Sequence, residues 1–344
     1  MAIEKISVEQ LLGSARRYPI LDVRSPGEYA AGHIPGAHSL PLFSDEERKV
    51  VGTAYKKDSR EQAIKIALPY FGKKMVSMIE EVEGIAADKT VILHCWRGGM
   101  RSEGVAWLLN LYGFTVYTLV GGYKSFRRWC NLQFGKDYPF TIIGGYTGSG
   151  KTRILKVLQD NGHPVIDLEQ LAGHKGSVFG NLEDHAQPTQ EMFENRLAMA
   201  LADAGTPDRI WVEDESRRIG KVNIPPPLYL TMQKKPVCFL EIPFGERLNN
   251  ILDGYGSSGK EKLADAILLL RKRLGGPETK SALHFLENGE LSACFGILLK
   301  YYDKHYLKGL QQKDPSQPGT RKIACANTDA AANVKALIHD QVLI

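Results

Sequence analysis

Short runs of consecutive apolar residues alternate along this chain with longer stretches in which apolar positions recur at helical spacing. Ile20-Leu21-Asp22-Val23, Val91-Ile92-Leu93-His94 and Val116-Tyr117-Thr118-Leu119-Val120 are of the first kind. Continuous rather than alternating hydrophobicity predicts strands buried on both faces. Ser102 to Leu111, after the second run, reads as a helix. The rhythm restarts after Pro139 with strand candidates Phe140-Thr141-Ile142-Ile143, Pro164-Val165-Ile166, Ile210-Trp211-Val212 and Val237-Cys238-Phe239-Leu240. Glu261 to Leu274 carries apolar residues at helical spacing and ends at Gly275-Gly276-Pro277, a strong stop. Strands alternating with helices predict α/β architecture with parallel sheets.

The 344 residues divide most simply into two domains. The first covers 1–130 and holds a basic insertion at 43–75. A short polar junction follows at 131–138, and the second domain covers 139–344 with a helix-rich C-terminal part. No internal repeat or low-complexity tract interrupts this plan. A 43% hydrophobic and 24% charged composition is that of a globular protein. No apolar run approaches the roughly 20 residues of a membrane span, and Met1-Ala2-Ile3-Glu4-Lys5 lacks the apolar stretch of a signal peptide. A cytoplasmic protein without a membrane partner is therefore expected.

Cysteines 95, 130, 238, 294 and 325 form no CxxC and no zinc spacing, and the nine histidines show no metal-ligand spacing. The cysteines are expected as thiols. The net charge of +5 sits mostly in the first half: residues 1–135 hold 18 Lys+Arg against 14 Asp+Glu, and the rest 26 against 25. That balance suits a polyanionic partner without demonstrating one. Lys49, Lys56, Lys57, Arg60, Lys65, Lys73 and Lys74 crowd the insertion. They read either as a solvated helical face or as a surface for nucleic-acid phosphates.

Two loops carry the candidate chemistry. In Cys95-Trp96-Arg97-Gly98-Gly99-Met100-Arg101-Ser102 a strand delivers one thiol into a glycine loop that opens a helix. Glycines allow successive backbone N–H groups to converge on an anion, and the helix N-terminus adds positive potential. With Arg97 and Arg101 beside it, Cys95 is expected to be a thiolate nucleophile.

The second loop, Gly145-Tyr146-Thr147-Gly148-Ser149-Gly150-Lys151-Thr152, satisfies GxxxxGK[ST] between a strand and the helix Arg153 to Leu158. Here Gly145, Thr147, Gly148, Ser149 and Gly150 would cradle phosphate, Lys151 would neutralise it and Thr152 would hold magnesium. Ile210-Trp211-Val212-Glu213-Asp214-Glu215 reads as an acidic strand end, with Asp214 a second magnesium candidate or merely a helix cap; Asp167 invites the same two readings. His174, Lys175 and Ser177, in a small-residue loop, and Arg217 and Arg218, after the acidic strand, are candidates for a substrate loop or for ordinary surface.

These residues also carry a resemblance. Leu21-Asp22-Val23-Arg24-Ser25-Pro26-Gly27-Glu28-Tyr29 followed by Gly32-His33-Ile34-Pro35-Gly36-Ala37 resembles the N-terminal signature of rhodanese domains, with Cys95 at the persulfide position and Gly121-Gly122 at the late glycine turn. Five residues separate Cys95 from Arg101, one more than in a common rhodanese loop. The longer loop resembles that of the related phosphatases and is expected to accept a tetrahedral oxyanion. The Gly-x-Thr-Gly-Ser-Gly-Lys-Thr variant is similar to the loop by which tRNA dimethylallyltransferases hold a prenyl diphosphate.

Taken in order, a rhodanese-like domain followed by this P-loop half resembles the tRNA 2-selenouridine synthase family. Leu171 through Gly180, Val212 through Gly220 and Val51-Gly52-Thr53-x-Tyr55-Lys56 also fit that family. The resemblance implies a tRNA-modifying transferase acting on 2-thiouridine at the wobble position. It implies S-geranylation with geranyl diphosphate, then exchange for selenium from selenophosphate, with Cys95 accepting or guiding the selenium. It implies no tightly bound cofactor beyond magnesium.

Three other readings stay open on the residues alone. One is a persulfide sulfurtransferase fused to an ATP-using kinase or adenylating domain. Another is a phosphatase with Cys95 as nucleophile and Arg101 as clamp. The third is an RNA-binding adaptor with degenerate domains, which the intact Cys95, Lys151 and Thr152 disfavour.

Overall fold

Each half is a five-stranded parallel sheet, as the uninterrupted apolar runs require. The computed structural model describes residues 3–174, 186–255, 259–311 and 319–341. The chain divides into one unit of Met1–Gln133 with Glu194–Ala198, and another of Phe134–Phe193 with Met199–Ile344.

The first unit runs β1 (Glu4–Ile6), α1 (Val8–Leu12), β2 (Ile20–Asp22), α2 (Pro26–Ala31), β3 (His38–Ser39), α3 (Asp45–Lys57), α4 (Arg60–Ile85), β4 (Thr90–His94), α5 (Met100–Leu111), β5 (Thr115–Leu119) and α6 (Gly122–Phe134). Its strand order is β1-β5-β4-β2-β3, which places β4, the strand before Cys95, at the centre. Ligand sites of open α/β sheets form at the carboxyl ends of such central strands. Val91, Ile92 and Leu93 of β4 are fully buried, and Val105, Ala106 and Leu109 of α5 are fully buried over the sheet.

The basic insertion is a helical hairpin. Ser44 and Glu47 form a reciprocal capping box that starts α3, and Ser59 caps α4 after a break at Asp58. Its lysines do form a solvated face: Lys49, Lys56, Lys57, Lys65 and Lys73 are exposed, as is Arg60. The opposite face carries Phe71, Met78 and Val82 into the core, so α4 reaches ten residues past the expected boundary at 75.

The signature Leu21-Asp22-Val23-Arg24 is structural. Arg24 Nε and Nη2 donate to Asp22 at 2.9 and 2.6 Å, Nη2 also donates to the Gly32 carbonyl at 2.7 Å, and the guanidinium lies 3.8 Å from the Tyr123 ring centroid. Both ions are almost fully buried. A buried arginine is tolerable only with such saturation of its donors.

The second unit runs β6 (Phe140–Gly145), α7 (Lys151–Asp160), β7 (Val165–Ile166), α8 (Leu168–Ala172), α9 (Gln190–Asp203), β8 (Ile210–Glu213), β9 (Arg218–Ile219), β10 (Val222–Asn223), α10 (Pro226–Gln233), β11 (Val237–Glu241), α11 (Phe244–Tyr255), α12 (Lys260–Leu274), α13 (Gly276–Glu287), α14 (Leu291–Gln311), β12 (Thr320–Ala324) and α15 (Ala330–Gln341). The sheet order β12-β11-β6-β8-β7 again centres the strand that feeds the loop, here β6, which is buried along its whole length. Helices α11 to α14 pack a separate apolar cluster around Ile267, Leu270, Ala282, Phe295 and Leu298, which is the helix-rich part expected from the sequence. The expected linker at 131–138 is shorter than its polar composition implied. Its first four residues complete α6, and Phe134 and Tyr138 are buried.

Candidate active sites

The glycine loop after β4 folds back on the thiol. Cys95 Sγ accepts from the Gly99 N–H at 3.4 Å and lies 3.3 Å from the Ser102 hydroxyl, at the first turn of α5. Burial pushes the thiol up. The Ser102 hydroxyl, the Gly99 amide and Arg101 together outweigh it and hold Cys95 below the ordinary thiol value. The other cysteines go the other way: burial pushes Cys130 to about 12 and Cys294 to about 11, and raises Cys325. All five are free thiols, as expected.

Arg101 is held by a partner that the spacing did not reveal. Its Nη1 meets Glu28 Oε2 at 2.7 Å and its Nη2 meets Oε1 at 3.4 Å, while Arg48 of α3 approaches the same carboxylate at 3.4 Å. Burial raises the Glu28 carboxyl, but Arg101 more than offsets this and leaves it below the usual carboxylate range. Arg97 is exposed beside the loop. Trp96 is 36% exposed, its ring centroid 5.7 Å from that of Tyr123.

The late glycine turn closes this loop from behind. Tyr123 and Lys124 N–H donate to the Cys95 and Trp96 carbonyls at 2.8 and 3.0 Å. Gly122 sits at φ +59°, and a Cβ there would come within 2.4 Å of the Cys95 carbonyl oxygen and 2.5 Å of the Gly98 nitrogen. Gly122→Ala is therefore expected to destabilise the fold by about 2–4 kcal/mol. It should also abolish the selective reactivity of Cys95, read by urea unfolding and thiol labelling on the same samples.

A second outcome follows from the thiol's surroundings. Iodoacetamide should alkylate Cys95 far faster than the other four cysteines near neutral pH. The rate should rise with pH to a plateau whose midpoint lies below 9, because only the deprotonated form reacts. Ser102→Ala should move that midpoint up. Peptide mass mapping across pH reads both.

The loop after β6 has the phosphate-binding form. Gly145 ends the strand, Gly148 and Gly150 take φ +83° and +74°, and Lys151 starts α7 with its Nζ 3.0 Å from the Gly145 carbonyl. Ser149 is buried, and its hydroxyl has no partner among the described residues. Two side chains of α11 hold the loop carbonyls outward. Arg247 donates to Thr147 O at 3.1 Å and Asn250 to Gly148 O at 2.8 Å, and Arg247 is fixed by a bidentate pair with Asp303 at 2.9 and 2.8 Å.

The carboxylate that Thr152 meets is Glu169, whose Oε2 accepts from its hydroxyl at 3.2 Å. Glu169 N–H in turn donates to the buried Glu213 at 2.7 Å. Burial first, then repulsion from Asp167, Glu169 and Glu215, raises Glu213 well above the carboxylate range. Burial and Glu169 push Glu215 up to about 8. Asp214, expected as the magnesium ligand, has its Oδ2 bound by the Tyr306 hydroxyl at 2.5 Å. Asp167 proves to be the N-cap of α8.

Of the other candidates, His174 is buried, with burial lowering its imidazole. Lys175 and Ser177 lie outside the described residues. Arg217 is exposed, and Arg218 Nε donates within the β9–β10 ribbon to Gly220 O at 2.9 Å, so it braces a turn.

Comparison with known proteins follows this two-part layout. Residues 138–327 match the model of the tRNA 2-selenouridine synthase AAA domain, and residues 7–128 match the rhodanese-like domain. The chain belongs to the tRNA 2-selenouridine synthase family. It is 34% identical over 367 aligned residues to the tRNA 2-selenouridine synthase of Bdellovibrio bacteriovorus, covering 91% of this chain and 94% of that protein. It is 32% identical to the corresponding protein of Nitrosomonas europaea, over 86% of this chain and 90% of that one, and 35% identical to that of a Sulfurovum species, over 84% and 87%. The family makes this chain an enzyme of the transferase class. Among the described residues no helix is long and apolar enough to cross a membrane.

Proposed function

We propose that this synthase replaces the sulfur of wobble 2-thiouridine in tRNA by selenium, through an S-geranyl intermediate, using the P-loop for the first half and the Cys95 loop for the second. The observation that carries the reading is the pairing, in one chain of this family, of a thiol held toward its thiolate form by Gly99 and Ser102 with an intact phosphate-binding loop.

In the first half the thiouridine sulfur attacks C1 of geranyl diphosphate. The S–C bond forms as the C1–O bond breaks, diphosphate leaves with the electron pair, and the uracil N3 proton passes to solvent. The loop amides, the unpartnered Ser149 hydroxyl and Lys151 neutralise the departing diphosphate. Thr152 and Glu169 supply the hard oxygen donors that suit magnesium. Among the described residues no three His, Cys, Asp or Glu side chains are grouped to hold a metal by themselves. The ion would therefore be carried largely by diphosphate and water, as is usual for magnesium, and would supply added charge neutralisation.

Alkylation converts the sulfur into a leaving group. In the second half selenium from selenophosphate takes its place at C2, and geranylthiolate departs. The Cys95 loop, with Arg101 and the α5 N-terminus, is the cradle for the selenophosphate oxyanion.

The test is nucleoside mass spectrometry of 2-thiouridine-containing tRNA incubated with the full chain and geranyl diphosphate, and then with selenophosphate. S-geranyl-2-thiouridine should appear first and 2-selenouridine second. ATP hydrolysis with no response to geranyl diphosphate would instead select the sulfurtransferase–kinase reading.

A further inference from the structure

The chemistry of the donor decides where Cys95 must strike. We infer that Cys95 attacks the phosphorus of selenophosphate, forming S-phosphocysteine and releasing hydroselenide inside the loop, so that the first unit carries a phosphorus–selenium bond-cleaving activity of its own. This rests on the proposed use of selenophosphate.

Selenium in selenophosphate is already fully reduced. Thiolate attack on selenium would expel phosphorus at the phosphite level and leave a perselenide, which needs a two-electron reductant before selenium can enter the uracil ring. No second thiol is placed to supply those electrons. Cys238 lies in β11, Cys294 in α14 and Cys325 after β12, while Cys130 Sγ is bonded to Asn195.

Attack on phosphorus balances without any redox partner. Cys–S⁻ and HSePO₃²⁻ give Cys–S–PO₃²⁻ and HSe⁻, the S–P bond forming as the P–Se pair leaves with selenium. Hydroselenide then attacks C2 of the S-geranyl uridine, its proton ends on N3, and geranylthiolate leaves. Water finally cleaves the S–P bond, returning Cys95 and giving inorganic phosphate. Phosphorus and selenium keep their oxidation states throughout.

The geometry fits this assignment. Sγ lies at the base of the glycine loop, where the Gly99 N–H and the Ser102 hydroxyl stabilise it as a thiolate. The five-residue spacing to Arg101 gives the loop room for a tetrahedral oxyanion. Equally telling is the carboxylate next to Arg101. Glu28 is paired with Arg101 at 2.7 Å and approached by Arg48, so it is committed as an anion and does not serve as a proton donor. A loop without that donor suits hydroselenide, which leaves as an anion, and not an alkoxide, which must be protonated as it departs.

The experiment uses the full chain with selenophosphate labelled at phosphorus and no tRNA, quenched within one turnover. The Cys95 peptide should carry labelled phosphoryl that survives dithiothreitol, and free selenide should appear with it in equal amount. In steady state the released phosphate should contain one oxygen from labelled water. Selenophosphate should turn over at least about 100-fold faster than an alkyl phosphate, the contribution expected of a general acid. A Cys95 peptide bearing selenium removable by dithiothreitol, together with phosphite, would overturn the inference while leaving selenation itself intact. A chain that neither consumes selenophosphate nor selenates S-geranylated tRNA would remove the proposed function as well.

Discussion

Replacing Lys151 by alanine should lower S-geranylation of 2-thiouridine tRNA by about 10³-fold, equivalent to about 4 kcal/mol of transition-state stabilisation. The lysine begins α7 and its ammonium reaches only the Gly145 carbonyl in the ligand-free loop. Its removal therefore leaves the core and the loop carbonyl anchors Arg247 and Asn250 in place. What disappears is the positive charge facing the diphosphate as the C1–O bond breaks, where a preorganised cation is worth most. Selenation of tRNA that already carries the S-geranyl group should persist in the same variant, because that half of the reaction uses the Cys95 loop. Single-turnover assays on the two tRNA substrates, read by nucleoside mass spectrometry, separate these effects. Equal loss of both activities would count against the division of labour. A matching loss of ATP hydrolysis, with no geranylation by the parent enzyme, would reassign the loop to a nucleotide.

The parts of this architecture that were legible in the sequence are those decided by local pattern. β2, β4, β5, β6, β8 and β11 all lie within apolar runs, because a strand covered on both faces has to be apolar at every position. The strands that left no such signal, β1, β3 and β12, are short or keep exposed residues, with Lys5, His38 and Arg321 among them. Likewise the two loops declare themselves, since their glycines, cysteine and lysine are consecutive. Their partners do not. Glu28 reaches Arg101 from 73 residues away, and Arg247 and Asn250 reach the P-loop from about a hundred. Each of these is an ordinary charged or polar helix residue until the fold delivers it.

Asp214 shows the converse error. An acid at the end of β8 resembles a metal ligand by position, but Tyr306 of α14 takes its carboxylate, and the side chain that reaches Thr152 comes from α8. The strand-end motif located the acidic neighbourhood correctly, while the choice among its members depended on packing that only the folded chain shows. The insertion at 43–75 carried mixed information of the same kind. Its lysines marked a solvated face, and Phe71, Met78 and Val82 on the other side made the hairpin part of the core.

Cys95→Ser should reduce selenation of S-geranylated tRNA by at least about 10³-fold, in line with the removal of an essential nucleophile, while geranylation by the P-loop continues. Serine replaces sulfur with a smaller hydroxyl inside the same Gly99 and Ser102 contacts, so the loop keeps its shape. The change is in reactivity: the Cys95 thiol is held below its ordinary value and ionises readily, whereas an alcohol stays protonated across the working pH range. Two substrates again make the measurement specific. Geranyl diphosphate should still yield S-geranyl-2-thiouridine, which should then accumulate when selenophosphate is added, because its consumption is blocked. Thermal unfolding of the variant close to that of the parent would confirm that the loss is chemical. A Cys95→Ala chain that converts pre-geranylated tRNA to 2-selenouridine at the parental rate would show that the thiol is a bystander and would move the selenium site away from this loop.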